Sequence, residues 1–148
     1  MRPVSVERAA PVLVSDVMSS PVRTIALDSV ASDAEVLMHA ERLQHLVVVD
    51  TQGCVVGVVS DRDLRAAGPS SLLVRDSVQR ARALALVRIA NVMTASPYSV
   101  RPTHRLRSAL LMMRHHKIGC VPVVDEANKP VGIITGFDVI KIALRLLP

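Results

Sequence analysis

The chain has 148 residues, of which 50% are hydrophobic and 21% charged, as in an ordinary globular protein. No apolar run approaches the roughly 20 residues that a membrane-spanning helix needs. The first residues lack the apolar core of a signal peptide, so we expect a cytoplasmic protein. The net charge of +5 indicates an anionic partner. With one Tyr and one Phe, however, the chain has almost no aromatic side chains to stack on the bases of single-stranded nucleic acid.

An internal repeat organises the chain. When the sequence is shifted by 75 residues, Val17-Met18 falls on Val92-Met93 and Asp63 falls on Asp138, without a gap between the matches. Such agreement in one fixed register predicts two copies of a unit of about 50 residues. The predicted division is an N-terminal segment (1–15), a first repeat (16–68), a helical linker (69–90) and a second repeat (91–148).

Each repeat predicts the element order β-α-β-β-α, which places the protein in the α/β (α+β) class. The first helix of each repeat has a serine or threonine available as an N-cap: Ser29 or Ser32 in one repeat and Thr103 in the other. The last helix begins at Asp61 or Gly136. The predicted strands are 22–25, 46–50 and 55–60 in the first repeat, and 98–100, 121–125 and 131–135 in the second.

The central strands, 46–50 and 121–125, are continuously apolar, which is typical of strands buried on both faces. A unit of about 50 residues buries too little surface to be stable alone. We therefore expect the two repeats to pack sheet to sheet about a pseudo-twofold axis, with a cleft at the seam. Cys54 and Cys120 are flanked by valines and are expected to be buried, reduced thiols.

The linker predicts a helix over 72–90 that carries four arginines. These arginines form either a solvated face or a contact with a phosphate or a partner. His115 and His116 are adjacent on a predicted helix, so their side chains diverge by about 100° and are poorly placed to share a metal ion. We expect no metal site.

A motif of Gly, two β-branched aliphatic residues, a hydroxyl residue, two variable residues and Asp closes each repeat. Its hydroxyl and acid are Ser60 and Asp63 in the first copy, and Thr135 and Asp138 in the second. A carboxylate at this position can accept two hydrogen bonds from a ribose diol, and a helix start can bind phosphate. The same spacing also suits a capping box, in which hydroxyl and acid satisfy backbone N–H groups.

The repeat as a whole resembles a tandem pair of CBS domains, also called a Bateman module. The resemblance rests on three segments in order in each copy: an opening Val-Met motif with a following proline, an apolar central strand that ends in Asp, and the Gly-to-Asp motif. The resemblance covers about 16–146, and the chain is similar to stand-alone bacterial CBS pairs. Such modules are regulatory sensors that bind AMP, ADP, ATP or S-adenosylmethionine between the repeats, and they typically form homodimers.

The resemblance also implies site residues. Asp63 and Asp138 would bind ribose, with Ser60 and Thr135 near ribose or phosphate. The segment before each central strand would face the phosphates. Arg62, a variable residue of the first motif, would stand next to the ribose and either reach a phosphate or remain an exposed helix arginine. These segments differ between the repeats, so we expect the two clefts to be unequal and one to be empty. The remaining implied residues are His45 and Cys120 beside the phosphates, and Thr24, Ile25, Ala26, Ser99, Val100 and Arg101, whose backbone would read adenine.

Three functions remain open from the sequence. The first is a sensor of an adenine nucleotide or adenosine derivative that regulates a further protein and needs no cofactor. The second is a dimerisation or scaffold module with empty clefts, and the third is a basic nucleic-acid-binding protein. An enzyme is not expected, because no nucleophile–base pair, metal set or P-loop is apparent.

Overall fold

The computed structural model describes residues 10–70 and 76–147. It confirms a mixed α+β protein with two repeats and two sheets. A 3-10 turn at Val14–Asp16 precedes the first repeat. That repeat contains β1 (Thr24–Ala26), α1 (Ala31–Glu41), β2 (His45–Val49), β3 (Val55–Ser60) and α2 (Asp61–Ala67). The chain continues through α3 (Ser77–Leu84), α4 (Ile89–Val92), β4 (Thr94–Ala95), α5 (Leu106–His116), β5 (Cys120–Val124), β6 (Pro130–Thr135) and α6 (Gly136–Leu146).

The predicted strand at 98–100 is the main departure from the expected order. It is reduced to an isolated parallel bridge between Val100 and Val123. In the first repeat, by contrast, β1 pairs in parallel with β2 over three residues. The last helices begin where the sequence predicts, at Asp61 and Gly136.

Each repeat contributes its opening segment to the sheet of the other repeat. The order in the first sheet is β1-β2-β3-β4, and β4 opens the second repeat. In the second sheet, Ser19 makes the matching antiparallel bridge to Ile133 of β6. This exchange brings the segment after β4 to the motif of the first repeat, and the segment after Ser19 to the motif of the second.

Glycines permit this exchange because methionine side chains lie directly over them. A Cβ atom on Gly57 would stand 2.4 Å from the sulfur of Met93, and one on Gly132 would stand 2.6 Å from that of Met18. No non-bonded carbon–sulfur contact is that close, so a larger residue at either position would force the methionine side chain to move and would crowd the carbonyl of the crossing segment, 3.1 Å away in both cases. The Val-Met and Gly-to-Asp motifs are therefore packing partners across the two repeats.

Three apolar clusters hold the fold together. One fills the space between the first sheet and α1, α2, α3 and α4, and a second does the same beneath α5 and α6. The third lies at the seam and joins Val47 and Val55 of the first sheet to Cys120, Val124 and Ile133 of the second. As expected, β2 and β5 are buried at their centres, and β5 is buried along its whole length.

The predicted N-caps of α1 and α5 are wrong. Val30 and Arg105 occupy the N-cap positions, and neither makes a side-chain capping bond. The first N–H group of α1 donates instead to the carbonyl of Val87 at 2.7 Å, and that of α5 donates to the carbonyl of Val12 at 2.9 Å. A backbone acceptor from a distant segment thus replaces the local hydroxyl.

The linker helix is shorter than predicted. Residues 71–75, including Arg75, lie outside the described part of the chain, α3 ends at Leu84, and α4 begins only at Ile89. Arg80 does not belong to a solvated face, because its Nε atom donates to Glu35 of α1 at 2.8 Å and its guanidinium also reaches the carbonyl of Leu64. Arg82 and Arg88 are exposed.

Exposed apolar side chains concentrate on α6. Phe137, Ile140 and Leu144 are 57%, 55% and 66% exposed. By contrast, α2 exposes no large apolar side chain, and α5 exposes only Leu111 among its large ones. No helix within residues 10–70 and 76–147 has the length and apolar character required to cross a membrane.

Candidate functional site

A cavity of about 670 Å³ opens between the two repeats. Ligand pockets are usually about 300–1,000 Å³, so it has the size of a small-molecule site. The first repeat contributes the start of β2 and the Ser60–Asp63 turn, while the second contributes the residues that follow α5, together with β4 and the residues after it. The walls are therefore residues 44–45, 60–63, 94–98 and 117–120, joined by Val58 and Arg65.

Asp63 is half-buried in this cavity and uses one of its two carboxylate oxygens for capping. Its Oδ2 atom accepts from the Ser60 N–H at 2.8 Å and from the Ser60 hydroxyl at 2.7 Å. The N–H of Asp63 donates back to the Ser60 hydroxyl at 3.1 Å, which completes a capping box. Within the described part of the chain, no hydrogen bond or ion pair involves Oδ1. Capping and ligand binding are therefore compatible, because they would use different oxygens.

Asp138 has the same cap but no free oxygen. Its Oδ2 atom accepts from the Thr135 N–H at 2.8 Å and from the Thr135 hydroxyl at 3.0 Å. Its Oδ1 atom accepts from the Ser19 hydroxyl at 2.8 Å, and the residue is only 2% exposed. The crossing strand of the first repeat thus supplies the hydrogen bond that a ligand hydroxyl would otherwise donate.

Thr94 is the counterpart of Ser19 in the internal repeat. It pairs with Val58 in the same antiparallel register in which Ser19 faces Ile133. Its side chain makes no hydrogen bond to Asp63 among the described residues, and it lines the cavity. The backbone pairing of the two crossing segments is alike. They differ because the Ser19 hydroxyl donates to Asp138, whereas the Thr94 hydroxyl does not donate to Asp63.

Two cations of the cavity are not engaged in ion pairs with the described residues. Arg62 and Lys117 both line it, from opposite repeats. Arg65, also in the wall, is paired with Asp61 at 2.9 Å. The free cations can therefore meet an anionic group of a ligand, and such charge-assisted contacts are among the stronger hydrogen bonds in proteins.

His45 and Cys120 occupy matching positions in the two repeats and both line the cavity. Burial lowers the pKa of His45 below its ordinary value, although Asp61 and Asp63 act in the opposite direction. Burial, reinforced by the Asp63 charge, raises the pKa of Cys120 to about 12. Both side chains are therefore uncharged at neutral pH. A Cβ atom on Gly119 would stand 3.1 Å from Nε2 of His45, so the imidazole packs closely against that glycine.

The structure brings some of the predicted site residues together and separates others. Ser60, Arg62, Asp63, His45 and Cys120 all line one cavity. Asp138 and Thr135 lie at the other motif. The three residues of β1, Thr24, Ile25 and Ala26, pair with β2 and do not line this cavity, and neither do Ser99, Val100 and Arg101.

The cavity wall lies just before the predicted adenine-reading segment of the second repeat. Residues 94–98 form it, whereas Val100 is buried against Val123. Sequence reasoning also missed Lys117 and Ile118. The opening Val-Met motif marked the segment as important, but nothing local shows that it crosses to the other repeat.

The described residues contain no group of three metal-ligating side chains. His115 and His116 contact each other edge to face, with ring centroids 4.8 Å apart. Cys54 and Cys120 are free thiols, and Cys54 is only partly buried, which departs from the expectation of two buried cysteines.

Comparison with known proteins identifies the family. The model of the CBS domain matches residues 14–70 and 89–145. The chain belongs to the CBS-domain family and is a tandem CBS pair. A CBS domain-containing protein of Dictyostelium discoideum is 30% identical over 92% of this chain and 94% of its own length.

Solved CBS pairs share the fold. CBSX2, crystallised in complex with AMP, is 28% identical, with a TM-score of 0.75 over 93% of this chain and 99% of that one. The CBS pair of protein MJ0100, crystallised with 5-methylthioadenosine and S-adenosyl-L-methionine, has a TM-score of 0.77 at 22% identity, over 93% of this chain and all of that one. Homoserine O-acetyltransferases also match, but over only 20–24% of their own length.

Proposed function

We propose that this CBS pair is a regulatory sensor without catalytic activity, and that it binds one adenine nucleotide or adenosine derivative in the Asp63 cavity. The observation that carries the proposal is the free Oδ1 atom of Asp63. It has no partner among the described residues and belongs to a side chain that lines a cavity of about 670 Å³, while its counterpart on Asp138 is already bonded to Ser19. Such a sensor acts by presenting a different surface to a partner protein in its bound and free states.

Asp63 recognises the ribose in this proposal. Its Oδ2 atom is held by Ser60, so the carboxylate is fixed in orientation before the ligand arrives. Oδ1 then accepts a hydrogen bond from a ribose hydroxyl. Fixing the acceptor in advance reduces the ordering cost of binding.

Arg62 and Lys117 recognise the phosphate. They come from opposite repeats, so a phosphate between them would tie the two halves of the chain together. His45, neutral because of its lowered pKa, adds a hydrogen bond without a further charge. The N–H groups of Ser60 and Asp63 are used in the cap and that of Asp61 donates to the carbonyl of Gln44, so in this proposal side chains make most of the contacts with the phosphate.

The ligand class follows from the site and from the relatives. A diol acceptor and two free cations suit a nucleotide, and the apolar part of the wall, with Val58, Pro97 and Ile118, suits its base. CBSX2 was crystallised with AMP, which makes AMP the first candidate. ADP, ATP and S-adenosylmethionine share its adenosine and complete the set to be compared.

The first experiment is a thermal-shift panel of AMP, ADP, ATP, S-adenosylmethionine and NAD. A ligand at 100 times its dissociation constant adds about 2.7 kcal/mol to the free energy of unfolding. We expect a clear shift with at least one adenosine compound. If none shifts the transition at millimolar concentration, the scaffold function replaces this proposal.

The second experiment compares Asp63→Asn with Asp138→Asn by calorimetry. In Asp63→Asn the amide oxygen can still accept from Ser60, which leaves a donating NH₂ group where the ligand needs an acceptor. Losing a hydrogen bond to a charged group costs about 1.5–3 kcal/mol, so affinity falls roughly tenfold to a hundredfold. Asp138→Asn, the matched control, retains affinity in the folded protein. Full-strength binding by Asp63→Asn would overturn the ribose assignment.

A further inference from the structure

Tyr98 stands in the cavity wall on an aromatic support. Its ring stacks on His116, the last residue of α5, with ring centroids 4.0 Å apart and planes inclined by 19°. Tyr98 lines the cavity and is 49% exposed, whereas His116 does not line it. The side of Tyr98 that His116 leaves uncovered is therefore open to a ligand.

The internal repeat shows that this stack is specific to one cleft. The 75-residue offset places Tyr98 on Arg23 and His116 on Glu41. Arg23 and Glu41 form an ion pair at 2.6 Å, so a side-chain contact joins these two equivalent positions in both repeats. A contact between these positions alone does not require aromatic rings. The aromatic pair occurs where the carboxylate is open, and the ion pair occurs where the carboxylate is closed.

We propose that Tyr98 stacks on the base of the bound nucleotide and that His116 is the positioning residue that holds its ring. This inference rests on the proposed function and deepens it by assigning the residue that selects ligands with a planar base. Pro97 and Ile118 add apolar side chains to the same wall, and Arg62 and Asp61 add charged ones. The cavity thus offers lining of both kinds, as a nucleotide with a base and a phosphate requires.

The chain offers an unusually direct probe, because Tyr98 is its only tyrosine and it has no tryptophan. Fluorescence excited on the red edge of tyrosine absorption, where adenine does not absorb, comes from this ring alone. We expect saturating AMP to quench most of that emission. Ribose 5-phosphate, which lacks a base, should leave it unchanged at the same concentration.

Substitutions separate stacking of Tyr98 on the base from a purely structural contact between Tyr98 and His116. Tyr98→Ala should weaken AMP binding roughly tenfold, since it removes the aromatic side chain on which the base stacks. Tyr98→Phe keeps the ring and should bind AMP as the wild type does. The double variant Tyr98→Arg with His116→Glu reproduces the Arg23–Glu41 pair. It therefore keeps a contact between the two positions but should bind AMP as weakly as Tyr98→Ala does. His116→Ala should give a smaller loss for AMP.

The outcomes distinguish this inference from the proposed function. If calorimetry shows that AMP binds the wild type but its addition leaves the Tyr98 emission unchanged, stacking is wrong and the sensor function stands. Wild-type affinity in the double variant would likewise overturn stacking. If AMP does not bind the wild type at millimolar concentration, both the AMP site and the stacking inference are overturned.

Discussion

The two repeats end in the same motif, but they differ in whether the second carboxylate oxygen of that motif has a partner among the described residues. In both copies, one carboxylate oxygen accepts from the hydroxyl and N–H of the residue before the helix. The second oxygen of Asp138 is bonded to Ser19, while that of Asp63, a residue of the cavity wall, has no hydrogen-bond partner among the described residues. The capping box is therefore common to both repeats, and the candidate function depends on a residue of the other repeat.

The residues at equivalent positions of the two clefts also differ in charge and aromatic character. Arg62 in the open cleft corresponds to Phe137 in the closed one, which removes a cation and adds an exposed apolar ring. The aromatic stack of Tyr98 corresponds to the Arg23–Glu41 ion pair. The two clefts have diverged in charge and aromatic character while keeping one backbone pattern.

The largest predicted effect is on stability, and it distinguishes the two aspartates. Asp138→Ala removes a cap, worth about 1 kcal/mol, and leaves the half-buried Ser19 hydroxyl without its acceptor, at about 1–3 kcal/mol. We expect a total loss near 3 kcal/mol in urea unfolding. Asp63→Ala should lose only the cap. Equal losses in the two variants would contradict the different roles assigned to these residues.

A second prediction compares α6 with α2, its counterpart in the first repeat. Phe137, Ile140 and Leu144 follow helical spacing on α6 and are more than half exposed, whereas α2 exposes no large apolar side chain. Burying such a face favours association. We predict a homodimer, with twice the chain mass of 16.0 kDa by light scattering.

Two substitutions on that face test the interface. Ile140→Glu combined with Leu144→Glu should yield a monomer. Val78→Glu on α3, which changes an exposed apolar residue of a different helix, should leave the dimer intact. A wild-type mass near 16.0 kDa at micromolar concentration would remove the basis for the dimer.

The smallest predicted effect concerns the matching positions His45 and Cys120. Burial lowers the pKa of His45 in the folded chain, so below about pH 6.5 the unfolded chain binds more protons. The contribution to stability is full above that pH and is lost as the pH falls toward the lowered pKa. Cys120, with a pKa of about 12, stays neutral throughout.

The measurement is the melting temperature between about pH 7 and pH 5. We expect it to fall more steeply in the wild type than in His45→Gln, which has no imidazole to protonate. Parallel curves for the two proteins would show that His45 does not contribute to the pH dependence.

Much of this fold could be predicted from the sequence because its signals are local or repeated. The 75-residue offset predicted the two units, and the hydroxyl-to-Asp spacing predicted the boundary between each last strand and helix at Asp61 and Gly136. The caps of α1 and α5 could not be predicted, because the carbonyls of Val87 and Val12 that replace them come from distant segments.

The site was only partly predictable for the same reason. Asp63, His45 and Cys120 were identified from their own repeat pattern or from the resemblance, and they share a cavity. Tyr98 and Lys117 reach that cavity because β4 crosses to the first sheet. The Ser19–Asp138 bond joins residues 119 positions apart, and no periodicity or local motif reports such a contact.

The central claim is that one cleft is open and the other is closed by the chain itself. Calorimetric titration of the wild-type protein with AMP tests it most directly, because the stoichiometry counts the usable clefts. We predict one AMP per chain, with that single site lost in Asp63→Asn and kept in Asp138→Asn. Two equivalent AMP molecules per chain, or one site that disappears in Asp138→Asn instead, would contradict the account.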